Sequence, residues 1–217
     1  MPVANPSTGR AGRTREALIG AGRRLFSERP ADAVSIDDIV QAADVAKGSF
    51  YNHFPDREAL VRAVTSEIRA GVELAVRAAN EGVEDPARRA ARAVCVYLRY
   101  GVDEPERARV MVRVHDGHTT TSAPLNRHLV EDVTQGLASG RFAIATMESG
   151  VLFILGVSQM SLIRVVREPS LAVAVPLAQQ MCALLLRGLG VPFAEADAIA
   201  AQTADEIVRS GAFAGAA

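Results

Sequence analysis

The sequence predicts an all-α protein of about nine to ten helices, with an N-terminal three-helix unit followed by a longer helical domain. Three observations carry this expectation. Apolar residues recur at helical spacing along almost the whole chain, no period-2 run is bounded by hairpin turns, and Ala, Leu, Arg and Glu fill most positions between breaks. A length of 217 residues with 49% hydrophobic and 23% charged content lies in the globular range and suffices for a core without disulfides.

Taken in order, Met1 to Arg13 reads as a flexible Pro/Ser/Gly arm, and Thr14 as the N-cap of a first helix with its stripe at Leu18, Ala21, Gly22, Leu25 and Phe26. Pro30 ends it. Ser35, with Asp38 in the capping-box position, opens a short second helix whose stripe is Ile36, Ile39, Val40 and Ala43. After the break Ala43 to Ala46, Lys47 to Phe54 forms a third helix with Phe50 and Phe54 on one face, stopped by Pro55. Asp56 caps a long fourth helix from Arg57 that carries Leu60, Val61, Val64, Ile68 and Ala75 inward and fades near Asn80. Further helices are expected at roughly 87–100, 105–115, 125–138, 142–167, 170–188 and 194–209.

Two short helices joined by a tight break have the dimensions of a helix-turn-helix, whose second helix enters a DNA major groove. Lys47, Gly48, Ser49, Tyr51, Asn52 and His53 lie opposite the two phenylalanines. They offer a cation, hydroxyls, an amide and an imidazole, the groups that reach phosphates and base edges, and no acid interrupts them.

The stretch SIDDIVQAADVAKGSFYNHFPDREAL, Ser35 to Leu60, resembles the DNA-binding domain of the TetR family of bacterial transcriptional regulators. Its pattern is matched at Ile39, Ala43, Val45, Lys47, Gly48, Ser49, Phe50, Tyr51, His53, Phe54, Asp56, Arg57, Glu58 and Leu60. The resemblance implies that Lys47, Tyr51 and His53 contact the DNA backbone, joined by Thr14 and Arg57 at their helix starts, and that Gly48, Ser49 and Asn52 read bases. The resemblance also implies that Arg10 and Arg13 in the arm add phosphate or minor-groove contacts. Two positions depart from the pattern: Asp44 stands for the turn glycine, which predicts slight strain if φ is positive, and Ala46 for the serine that caps the third helix.

Net charge is −1, which excludes a polycation, yet charge is segmental: residues 1–29 carry six Arg against Glu16 and Glu28, and residues 30–46 carry four Asp and no base. Lys47 is the single lysine. Cys95 and Cys182 sit among apolar residues, and the first 30 residues have no apolar signal region, so a cytoplasmic, reducing location is expected. No nucleophile elbow, Walker glycine loop or Cys–His pairing appears, so no enzyme activity and no cofactor are expected. His115, Asp116, His118 and His128 cluster without a Cys or a helical i, i+4 pair, and read as a polar loop with no metal.

The domain boundary is expected at 56/57: a DNA-binding domain over 1–56, and an effector-binding and dimerisation domain over 57–217. The segments 142–167 and 170–188 are apolar on nearly every side and so need covering all round. They read as buried helices rather than membrane spans, and the resemblance implies that they pair with their two-fold mates in a homodimer. Ser149, Gly150, Gly156 and Ser158 would let a partner helix approach. Tyr97, Tyr100, Met111, His115, His128, Met147 and Phe153 are candidate linings of a pocket for a hydrophobic or amphipathic effector. The expected function is a ligand-responsive repressor that binds a palindromic double-stranded operator. The competing reading is a DNA-bound protein whose C-terminal domain recruits a protein partner and has no effector; a closed interior without a cavity would favour it.

Overall fold

The structure is a computed structural model that describes residues 6–114, 123 and 126–211. Among these residues it is helical throughout and contains no strand: α1 (Pro6–Glu28), α2 (Ile36–Ala42), α3 (Lys47–Tyr51), α4 (Arg57–Ala79), α5 (Pro86–Asp103), α6 (Pro105–Arg113), α7 (Arg127–Ala138), α8 (Met147–Arg167), α9 (Leu171–Gly188) and α10 (Phe193–Thr203). A 3₁₀ turn at Ala31–Ala33 precedes α2, and a π-helical turn at Ala204–Arg209 follows α10.

The chain forms two compact units, one of Met1–Ile68 with Arg109–Asp116 and the other of Arg69–Ala108 with Gly117–Ala217. The division falls inside α4, twelve residues beyond the expected 56/57 boundary. The reason is packing within the first unit. Leu60, Val64 and Ile68 of α4 are buried, and a Cβ at Gly22 of α1 would stand 3.2 Å from the Leu60 side chain and 3.3 Å from that of Val64. Glycine lets α1 and α4 approach closely here. Leu18, Phe26, Ile39 and Phe50 complete this core at full burial.

One expectation is corrected at the start of the chain. The helix begins at Pro6, not at Thr14, so Thr14 lies inside α1, half-buried, and not at the helix start. Pro6 has the φ that the first helical position needs, and the two glycines at Gly9 and Gly12 cost about 1 kcal/mol each, too little to break the helix. The other caps fall as expected. Ser35 and Asp38 form a reciprocal capping box, the Asp56 carboxylate accepts from the Ala59 amide at 2.6 Å, Asp44 adopts φ 52°, and Ala46 offers α3 no side-chain cap.

The second unit has its own core, built from α5, α7, α8, α9 and α10. α5 is its axis, with Val94, Cys95, Val96 and Leu98 fully buried. Asp85 caps it, accepting from the Ala87 amide at 3.0 Å, ahead of Pro86 in the first turn. The thiols of Cys95 and Cys182 are free, 3.7 Å apart; each other's proximity and burial raise the Cys95 pKa. α8 begins at Met147 rather than 142, capped by Thr146, because Phe142 folds back over Gly136, where a Cβ would come within 2.2 Å of its ring. The chain is held in that turn by the Phe142 amide donating to the Gly136 carbonyl and the Ala143 amide donating to the Leu189 carbonyl, at 2.9 and 2.8 Å.

α8 and α9 are long and apolar enough, by length and composition, to cross a membrane. Each instead buries one face in this unit, α8 through Val151, Ile154, Leu162 and Val165 and α9 through Ala178, Cys182, Leu185 and Leu186. Their other faces expose Leu152, Met160, Leu171 and Leu184. Of the small residues expected to admit a partner helix, Gly150 and Ser158 serve packing within the chain: Gly150 faces Ile144 and Val133, and buried Ser158 donates to the Ile154 carbonyl at 2.8 Å.

Candidate functional site

The first candidate surface is α3. Phe50 is fully buried and Phe54 nearly so, their rings 5.8 Å apart, and this apolar foot fixes the rotation of a helix with little else to hold it. Arg15 of α1 lies over the Phe54 ring at 5.5 Å. The opposite face is open: Lys47, Gly48, Tyr51 and Asn52 are exposed, with Ser49 and His53 half-buried. Tyr51 stands edge-on to Phe50 at 5.5 Å with half of its surface in solvent. A Cβ at Gly48 would meet nothing within 4 Å, so the backbone there is open to a ligand from outside.

Two charged residues of the expected set are engaged. The Lys47 ammonium sits 2.8 Å from the Asp37 carboxylate of α2, and that hydrogen bond raises the lysine pKa. Arg57 is turned toward the 3₁₀ turn: its guanidinium donates to the carbonyls of Asp32 at 2.8 Å and Ala31 at 3.2 Å and pairs with Glu58 at 2.8 Å. It closes the polypeptide between α1 and α2, a structural task that its position at a helix start did not reveal. Arg24 does related work, donating to the Ala42 carbonyl at 3.1 Å and so tying α1 to the end of α2. The Arg10 side chain lies outside the described residues.

The second site is a cavity of about 210 Å³ inside the second unit. α4 and the residue after it contribute Glu73, Val76, Arg77 and Asn80; α5 contributes Arg89, Ala90, Ala93 and Tyr97. α7 and the residue before it supply Asn126, His128, Leu129 and Asp132, and α8 supplies Ile154, Leu155 and Ser158. The walls are apolar, but the polar groups are more numerous than expected. Arg89 pairs with Asp132 at 2.7 Å, and His128 Nδ1 lies 3.0 Å from Glu131. Burial pushes the Asp132 pKa up against the pull of Arg89, and burial likewise raises that of Glu73. Three atoms of these residues are buried with no hydrogen-bond partner: Glu73 Oε1, Asn80 Oδ1 and Arg89 Nε.

Of the seven expected pocket residues, the structure brings Tyr97 and His128 to this cavity. Met111 is buried in the first unit, Met147 is partly buried against the core of the second, and Phe153 is 40% exposed with its ring beside Gly188. Tyr100, on α5, does not line the cavity, and His115 lies outside the described residues. Asp116 and His118 lie there too; among the described residues no group of three His, Cys, Asp or Glu is placed to hold a metal ion. The polar lining went unread because its members are far apart in sequence. A signal was present: Glu73, Val76 and Asn80 repeat at i, i+3 and i+7, one position along from the buried stripe of Val72 and Ala79.

Comparison with known proteins bears on both sites. Residues 18–64 match the family model for bacterial regulatory proteins of the tetR family, and residues 85–202 match that for a tetracyclin repressor-like C-terminal domain. The transcriptional repressor DhaR of Mycobacterium sp. (strain GP1) is 35% identical over 72 residues, 33% of this chain and 36% of that protein. The repressor KstR2 of Rhodococcus jostii (strain RHA1) is 38% identical over 60 residues, 28% of this chain and 29% of that one. The matches therefore span about a third of the length of these relatives. Among solved structures, RolR in complex with resorcinol aligns with a TM-score of 0.62 at 27% identity, covering 90% of this chain and 96% of RolR. An ArpA-like gamma-butyrolactone receptor shares the fold at a TM-score of 0.64 and 20% identity, over 91% of this chain and 99% of its own.

Proposed function

The chain belongs to the TetR family of bacterial regulatory proteins, and on that premise we propose that it is a ligand-responsive repressor acting as a homodimer on a palindromic operator. The observation that carries the DNA-binding part is the seating of α3: with Phe50 and Phe54 buried, Lys47, Gly48, Tyr51 and Asn52 are presented outward on one short helix. Lys47, Tyr51 and His53 hold phosphates, while Gly48, Ser49 and Asn52 face base edges. Two such helices, about 34 Å apart in a dimer, would meet successive major grooves on one face of the duplex.

The dimer forms through α8 and α9. Their exposed Leu152, Met160 and Leu184 make an apolar surface that a second copy would cover. The effector is a small hydrophobic or amphipathic molecule held in the cavity of the second unit. That cavity favours an effector over the protein-recruiting alternative, and RolR, whose structure holds resorcinol, supports a small-molecule ligand. α4 gives Leu60, Val64 and Ile68 to the core of the first unit and Glu73, Val76 and Arg77 to the cavity of the second. A ligand that fits one cavity shape better than another therefore biases a helix shared with the DNA-binding unit, and its effect is the ratio of its affinities for the two states. The free thiols of Cys95 and Cys182 suit a cytoplasmic location.

Tyr51→Ala tests the DNA-binding assignment. Binding to duplexes enriched by the protein from random DNA weakens about equally across sequences, and unchanged affinity would overturn the role of α3.

A further inference from the structure

Three residues that line the cavity of the second unit carry buried polar atoms without a partner, and of a particular kind. Glu73 Oε1 on α4 and Asn80 Oδ1 just beyond its end are acceptors without a donor, and Arg89 Nε on α5 is a donor without an acceptor. Buried polar groups left unpaired cost free energy, so atoms of this kind on cavity-lining residues mark where a ligand's own groups complete the network. Two lone acceptors and one lone donor match hydroxyls, which donate and accept at once; an ether can only accept and an ammonium can only donate.

Charge narrows the class. Burial raises the Glu73 pKa despite the pull of His128, Arg77 and Arg127, and a ligand cation in the cavity would lie beside Arg77 and Arg89 as well as Glu73. A carboxylate ligand would meet Glu73 and Asp132 and bring two further acceptors where donors are wanted. Size narrows it again: a cavity of about 150 Å³ accepts benzene, and this one, at about 210 Å³, has room for a single ring with one or two small substituents. Val76, Ala90, Leu129, Ile154 and Leu155 supply the apolar walls on which such a ring would lie.

We infer that this cavity recognises a neutral, hydroxyl-bearing compound the size of a single six-membered ring through hydrogen bonds to Glu73 on α4, Asn80 just beyond its end and Arg89 on α5. The inference rests on the cavity being the effector site.

Calorimetric titration of the full-length protein with resorcinol, its dimethyl ether, benzoate and benzylamine tests it. Resorcinol binds about tenfold or more tightly than the ether, since only the hydroxyls donate, and more tightly than either charged ring. Glu73→Leu combined with Asn80→Leu brings resorcinol and the ether to within about twofold of each other, while Glu73→Gln, which keeps an acceptor, retains the preference. The inference is overturned if a charged ring binds best, if the ether equals resorcinol, if none of the four binds, or if the preference survives in the double variant. The wild-type ranking stands even if the double variant fails to fold. Release of DNA separates this chemistry from the regulatory reading: resorcinol that binds tightly but leaves the protein on its enriched duplex removes the effector assignment and keeps the recognition chemistry. Release by benzoate or benzylamine and not by resorcinol does the opposite.

Discussion

The Lys47 ammonium at the start of α3 lies 2.8 Å from the Asp37 carboxylate on α2, so the residue expected to hold a phosphate is already holding an acid. Both side chains are exposed, at 53% and 72%, and exposed ion pairs contribute little, so exchange of Asp37 for a phosphate costs little. Asp37 then acts as an internal competitor. Asp37→Asn is expected to tighten DNA binding by up to about fivefold at low salt, and Lys47→Ala to weaken it and reduce the salt slope by about one. Anisotropy titrations over a salt series would show both; an Asp37→Asn protein that binds no tighter means that the pair does not compete with DNA.

The turn before α3 carries correctable strain. Asp44 is held at φ 52°, a region that costs roughly 1 kcal/mol for an L-residue and nothing for glycine. Ala46 leaves α3 without a side-chain cap. Asp44→Gly should raise stability by about 0.5 kcal/mol after the extra freedom of glycine in the unfolded chain is counted, and Ala46→Ser by about 1 kcal/mol. Urea midpoints at unchanged slope measure both.

The apolar faces of α8 and α9 predict separable effects on assembly and folding. Met160 is 62% exposed and Leu184 56%, so an arginine at either position disturbs no core contact. Met160→Arg and Leu184→Arg are expected to change folding stability by less than about 0.5 kcal/mol yet to yield a monomer by light scattering, with operator binding lost. A variant that remains dimeric at micromolar concentration would place the interface elsewhere.

Acid stability should depend on Arg141. Its guanidinium donates to Asp85 at 2.8 and 3.0 Å and to Glu195 at 2.7 and 3.1 Å, joining the start of α5 to α10. Burial works to raise the Asp85 pKa, but the Arg141 hydrogen bonds and the Ala87 amide outweigh it and hold the carboxyl low; the Arg141 hydrogen bonds lower Glu195. Carboxyls with depressed native pKa values stabilise the fold above their unfolded values, and that contribution is lost as pH falls through the native ones. The wild type is therefore expected to lose more stability than Arg141→Met between about pH 5 and pH 2. Parallel melting curves across that range would reject the bridge as a stabilising element.

Much of the DNA-binding unit was legible in the sequence because its determinants are local. The Ser35–Asp38 capping box, the Asp56 cap, the strained Asp44 and the Phe50/Phe54 foot each depend on residues within a turn or two of one another. Local patterning also placed helices α5 to α10. It misjudged an end where a distant partner intervened: α8 starts late because Phe142 packs on Gly136. Nor did it show that the Arg57 guanidinium reaches back to the carbonyls of Ala31 and Asp32.

By itself, then, the sequence determined the helical class, the helix-turn-helix and the face that α3 presents, since helical period and capping chemistry are written within a few residues. Only the tertiary structure decided which side chains converge. Glu73, Arg89, Asp132 and Ser158 come from four helices and meet at one cavity, and Lys47 meets Asp37 across a turn. A helical stripe shows that a residue faces inward but not what it faces. That depends on how helices far apart in the chain pack, through ridge, groove and glycine contacts that no single segment encodes.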